Sequence, residues 1–183
     1  GNHGHQRKLR PLKKGISRMA FQTEERNNFS LGLYIVPIGI DYENYYKFHK
    51  SLLVNFGEPI ALDPLNRQYR ESPSKAYISL RNKIAEGLKK VMIHIPSETY
   101  YDLINDLREI YKGRMKEMFN LKALRHPEKF RADRKLVEIC QEQIEERPEE
   151  VRELDEKVRD FQSRMTRLNF KPWLFDRNKY SSI

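Results

Sequence analysis

The stretch LYIVPIGID, Leu33 to Asp41, is a short apolar run rich in β-branched side chains, and it reads as a buried strand. Pro37 lies inside it and cannot donate to a sheet ladder, so the strand is expected at an edge or bulged there. Downstream, a polar, tyrosine-rich connection from Asp41 to Lys50 leads to a second predicted strand, Ser51 to Phe56. Gly57-Glu58-Pro59 ends it, and Ile60-Ala61-Leu62 reads as a further short extended piece.

Helices flank these strands. Residues 1–11 (GNHGHQRKLRP) read as a polar, basic loop, and Pro11 suits the first turn of a helix. Leu12, Ile16, Met19 and Ala20 follow at helical spacing, and that helix should end near Asn27-Asn28. Ser72-Pro73 marks another helix start, after which Tyr77, Leu80, Ile84, Leu88 and Val91 recur at threes and fours to about Lys90. Val91 to Ile95 (VMIHI) is expected to form a brief strand. Ser97 is placed to cap a helix carrying Tyr100, Ile104, Leu107, Tyr111 and Met115 or Met118 on one face.

The last third is helical in pattern. Phe130, Val137 and Ile144 are spaced by sevens, with Cys140 between the latter two. Beyond Pro148, the residues Val151, Leu154, Val158, Phe161, Met165 and Leu168 alternate threes and fours, the seam of a heptad. Two such helices broken at Arg147-Pro148 most simply form an antiparallel hairpin. Phe170, Trp173, Leu174 and Phe175 follow as an aromatic cluster suited to capping that hairpin or to a membrane interface. The predicted fold is therefore mixed α/β: a partial sheet of two to four strands with helices, then a mainly helical C-terminal half.

Composition narrows the class. The 183 residues are 38% hydrophobic and 33% charged, with a mean hydropathy of -0.82, so a modest core with well-solvated helices is expected. No run reaches the ~18 apolar residues of a spanning helix, and the start lacks the apolar centre of a signal peptide. Cys140, the single cysteine, rules out an internal disulfide and reads as a buried, inert thiol. The net charge is +9, and six basic residues from Arg7 to Arg18 (Arg7, Lys8, Arg10, Lys13, Lys14, Arg18) occur with no acid among them. Such a run leading into a helix start suits an anion, because the first N–H groups of a helix are unpaired.

G-N-H-G-H-Q-R-K-L-R-P-L-K-K-G (Gly1 to Gly15), followed about twenty residues later by I-V-P-I-G-I, resembles the second half of the lysophospholipid/glycerol-3-phosphate acyltransferase domain. In that family a strand ends in F-P-E-G, a basic loop follows, a helix opens with K-K-G, and a later strand carries an apolar run around a proline. Gly1 takes the place of the F-P-E-G glycine, Lys13-Lys14-Gly15 the helix opening, and Ile35 to Ile38 the later strand. L-L-V-N-F-G-E-P-I (Leu52 to Ile60) resembles the strand that follows. The resemblance covers about one third of the chain. It implies that residues 1–96 are the C-terminal portion of an acyltransferase-like α/β domain and 97–183 a helical extension.

The resemblance also implies a chemistry: acyl transfer from acyl-CoA or acyl carrier protein to a glycerol-phosphate-like or lysophospholipid hydroxyl, with no bound cofactor. Gly1, Asn2, His3, Lys13 and Lys14 become the expected substrate-binding residues. The family's catalytic pair is H-x-x-x-x-D, in which the aspartate orients the histidine that deprotonates the acceptor. His3, His5, His49, His94 and His126 are followed five residues later by Lys8, Arg10, Val54, Thr99 and Arg131, so this stretch does not contain the pair and is expected to be inactive alone. His3 and His5 by themselves make a poor metal site. The expected partners are an anionic phospholipid or lysophospholipid and the cytoplasmic face of a membrane, held peripherally. Self-association through an exposed strand edge is also expected. The alternative is a basic module with a helical-hairpin arm that binds nucleic acid or a partner protein. For nucleic acid, Tyr42, Tyr45, Tyr46, Lys47 and Lys50 supply stacking and charge without a recognised motif, which makes it the less favoured partner.

Overall fold

The computed structural model of the chain describes residues 6–43, 51–111, 113–121, 123 and 125–170. They form two compact units, Gly1–His94 and Ile95–Ile183. The fold is mixed α/β, with helices dominating the C-terminal half.

The first unit opens with α1 (Gly15–Arg26), four residues later than Pro11 predicted. Its inner face buries Phe21, which stacks on Tyr69 with ring centroids 4.7 Å apart and an interplanar angle of 4°. The chain then turns through Asn28 and Phe29, both at positive φ. The carboxylate of Glu24, fully buried, accepts the backbone N–H of Leu33 at 2.6 Å and that of Leu31 at 3.3 Å. A buried side chain thus supplies the acceptors that no neighbouring strand offers these loop N–H groups.

The expected single strand from Leu33 to Asp41 is divided at Val36-Pro37. β1 (Tyr34–Ile35) pairs antiparallel with β4 (Ile60–Ala61), while β2 (Ile38–Tyr42) pairs antiparallel with β3 (Leu52–Phe56). Pro37 has no N–H to continue one ladder, and its carbonyl instead accepts the N–H of Gly57 at 2.8 Å. The two halves are handed to different two-stranded sheets.

Next come α2 (Asp63–Glu71) and α3 (Pro73–Val91). α3 matches its sequence pattern and buries Ala76, Leu80, Ile84 and Val91. Leu62, Leu65, Tyr69 and Phe21 complete this core. Sheet and helix approach closely through glycines: a Cβ on Gly87 would lie 2.5 Å from Pro37 Cγ, and one on Gly39 would collide with the backbone carbonyl of Val91. The predicted strand at Val91 to Ile95 is not formed. α3 takes up Val91, and the following residues have no ladder partner among the described residues, although Ile93 and Ile95 are buried.

In the second unit the Ser97 hydroxyl accepts the N–H of Tyr100 at 3.0 Å, just ahead of α4 (Tyr101–Ile110). The helix expected to reach Met118 stops near Tyr111, and a short α5 (Met115–Met118) follows. α6 (His126–Glu146) and α7 (Pro148–Arg167) meet at Arg147. They close a second core of Leu103, Leu107, Met115, Ala132, Leu136, Val151 and Val158, with Cys140 packed at its margin. Burial raises the Cys140 thiol above its ordinary pKa, which fits an unreactive side chain. The heptad seam is only half used: Val151, Val158 and Met165 are buried, whereas Leu154, Phe161 and Leu168 are exposed. The aromatic cluster from Trp173 onward lies outside the described residues.

Candidate functional site

The net charge is unevenly shared. Residues 1–94 hold sixteen Lys and Arg against eight Asp and Glu, and residues 95–183 hold nineteen against eighteen. Nearly all of the excess positive charge therefore belongs to the unit that carries the sheets.

Within it, the basic opening segment is pinned at two points. Arg7 Nη1 pairs with Asp41 Oδ1 at 2.9 Å, on the covered face of β2. The backbone N–H of Leu9 donates to His94 Nδ1 at 3.1 Å. That hydrogen bond requires an unprotonated Nδ1, so neutral His94 carries its proton on Nε2. Burial lowers the His94 pKa below the ordinary histidine value, with the nearby Lys89 and Lys8 ammonium groups adding to the effect. Glu86 is held below the usual carboxylate range, first by the hydrogen bond from Lys89 Nζ at 2.8 Å. In the sequence His94 stood out only as a histidine without an aspartate five residues on. The structure gives it a definite task, fastening the basic segment to the end of α3.

Lys13 and Lys14 stand exposed directly before α1, with Lys14 as its N-cap residue. No side-chain hydrogen bond caps this helix and its first turn carries no acid. A Cβ on Gly15 would meet nothing within 4 Å, so this glycine borders open space. Neither lysine makes an ion pair among the described residues. The other expected site residues, Gly1, Asn2 and His3, lie outside the described residues.

Two clefts lined by described residues lie in this unit, and neither lysine borders them. One, of about 560 Å³, is bounded by Phe29 to Gly32 and by Asp63, Asn66, Arg67 and Arg70 of α2. There the Arg70 guanidinium lies 4.3 Å above the Phe29 ring centroid, and Asn66 Oδ1 is buried without a partner. The other, of about 520 Å³, lies between β4 and α3, with Lys83, Glu86 and Lys90 on its rim. Sequence reasoning missed the first cleft because it did not identify α2, whose only apolar pair is Leu65 and Tyr69. Among the described residues no group of three His, Cys, Asp or Glu side chains could hold a metal, and no helix is long and apolar enough to cross a membrane.

Comparison with known proteins points to one enzyme class. The chain is similar to glycerol-3-phosphate O-acyltransferase 2 of Saccharomyces cerevisiae, 28% identical over 105 residues. That stretch is 57% of this chain and 14% of the yeast protein. It is likewise 28% identical over 106 residues to glycerol-3-phosphate O-acyltransferase 1 of the same organism, covering 56% of this chain and 14% of the relative. The chain is thus a distant relative of acyltransferases, and it spans about one seventh of the length of the curated relatives it matches. No protein-family model and no solved structure matches it.

Proposed function

We propose that this chain is the C-terminal part of a membrane-associated acyltransferase domain and contributes the anion-binding side of its acceptor site. The donor is acyl-CoA or acyl carrier protein, and the acceptor is a glycerol-phosphate-like or lysophospholipid hydroxyl. The likeness to the two yeast glycerol-3-phosphate acyltransferases carries this reading. Lys13 and Lys14 stand at an uncapped, acid-free helix start, where both the lysine charge and the free N–H groups favour a phosphate. Gly1, Asn2 and His3 complete the proposed headgroup contacts. The general base belongs to an H-x-x-x-x-D pair that this stretch lacks. The work is done at the cytoplasmic face of a membrane, to which the chain attaches peripherally. Each of the two small sheets has only two strands, and their edges supply a route to self-association.

Phosphorus NMR titration of glycerol 3-phosphate against the 183-residue chain tests the acceptor half of this reading. Saturable binding that weakens at least tenfold in Lys13→Glu/Lys14→Glu supports it, and equal behaviour of the two proteins overturns it. In a parallel assay with acyl-CoA and glycerol 3-phosphate, the chain alone should form no product. Acyl transfer by the chain alone would refute the missing-base account.

A further inference from the structure

The β2–β3 hairpin is built with its apolar side outward. In the register Ile38↔Phe56, Ile40↔Val54 and Tyr42↔Leu52, six apolar side chains share one face, and all are exposed, by 40% to 71%. The opposite face, turned toward α3, carries Gly39, Asp41, Leu53 and Asn55. Gly39 packs against the Val91 carbonyl, Asn55 Nδ2 donates to the same oxygen at 3.3 Å, and Asp41 takes Arg7. A half-buried sheet normally puts its apolar residues on the covered side. Here the covered side holds Gly39, Asp41 and Asn55 with Leu53 as its one large apolar side chain, while six apolar side chains face outward. Six contiguous apolar side chains on a two-stranded sheet form a patch that ordinary surfaces seldom show.

We infer that this face inserts into the interface of an anionic lipid bilayer. Charge decides the occupant. The unit that carries the hairpin holds sixteen basic and eight acidic residues, a complement to an anionic surface. The only charged residue within β2 and β3 is Asp41, which points away from the apolar face and is paired with Arg7. The outward face thus takes no charge into the acyl boundary. Tyr42 and Phe56 sit at opposite ends of it, and tyrosine in particular suits the headgroup level. A second copy of the chain is disfavoured on the same face, because it would bring two strongly positive units together. The inference rests on the membrane setting proposed above and does not require acyl transfer.

The test is vesicle sedimentation of the 183-residue chain with phosphatidylcholine vesicles containing phosphatidylglycerol, and with phosphatidylcholine alone. It compares wild type with Ile38→Thr/Ile40→Thr/Phe56→Thr, which preserves net charge and strand propensity. Circular dichroism and urea unfolding confirm that the variant is folded. If the triple variant does not fold, Ile40→Thr alone replaces it, with an expected loss of at least threefold. The expected result is binding that needs the anionic lipid and falls at least tenfold in the triple variant. Equal binding by both proteins overturns the hairpin assignment and leaves an electrostatic membrane association standing. No binding by wild type overturns the hairpin assignment and the membrane setting together, while the glycerol 3-phosphate titration still judges the acyltransferase reading separately. A wild-type dimer that the substitutions dissociate, with no vesicle binding, assigns the face to a second copy and overturns the inference.

Discussion

The backbone N–H of Leu9 donates to His94 Nδ1 at 3.1 Å, joining residues 85 positions apart and fixing the basic segment against the end of α3. The bond exists only while His94 is neutral at that nitrogen. Its folded pKa is depressed below 6.5, so between the folded and unfolded values the unfolded chain binds more protons. The His94 contribution is then fully present above pH about 6.5 and is lost as the pH falls toward the folded value. Urea midpoints measured from pH 7.5 to pH 5 should decline more steeply in wild type than in His94→Gln. Lys8 and Lys89 oppose protonation and Glu86 favours it, so removing Lys89 should soften the decline. Parallel curves for wild type and His94→Gln would refute the coupling.

Glycine spacing between hairpin and helix gives a paired test. Gly39→Ala drives a methyl into the Val91 carbonyl and should destabilise the chain by about 1–3 kcal/mol. Gly15→Ala meets open space at the start of α1 and should be neutral or stabilise by up to about 1 kcal/mol. Thermal or urea unfolding of the two variants distinguishes them. A Gly39→Ala protein as stable as Gly15→Ala would contradict the close contact.

Glu24 is a buried carboxylate whose partners are backbone donors. Glu24→Ala leaves the Leu31 and Leu33 N–H groups without their acceptor and should destabilise by about 1–3 kcal/mol. Glu24→Gln keeps one acceptor oxygen and should recover part of that loss. Hydrogen exchange at Leu33 should quicken in the alanine variant before global unfolding does.

Several of these features were legible in the sequence and others were not, for identifiable physical reasons. α3 was readable because Ser72-Pro73 marks its start and its apolar residues keep helical spacing for about four turns. α2 escaped because a nine-residue helix with Pro64 and one buried i, i+4 pair has too little periodicity to stand out. Pro37 announced an interruption, but which sheet each half joins depends on β3 and β4, far along the chain. The alternation of Ile38, Ile40 and Tyr42 was visible, yet alternation alone does not say which face is covered. Lys13 and Lys14 were singled out by their place before a helix; the clefts depend on tertiary approach, which no local pattern encodes.

The second unit contains a buried ion pair whose energetics can be separated by a double-mutant cycle. Arg108 is 3% exposed, donates from Nη2 to Asp133 and from Nη1 to Asn105 Oδ1 at 3.1 Å, and joins α4 to α6. Its Nε is buried without a partner, so the guanidinium is incompletely compensated. Removing one charge leaves the other desolvated, and Arg108→Met or Asp133→Leu alone should each cost about 3 kcal/mol. Arg108→Met/Asp133→Leu removes both desolvation penalties and supplies apolar contact, so it should cost less than either single change. Urea unfolding of the four proteins gives the coupling energy directly. Additive losses would mean that the two side chains act separately and that apolar packing alone holds α4 against α6.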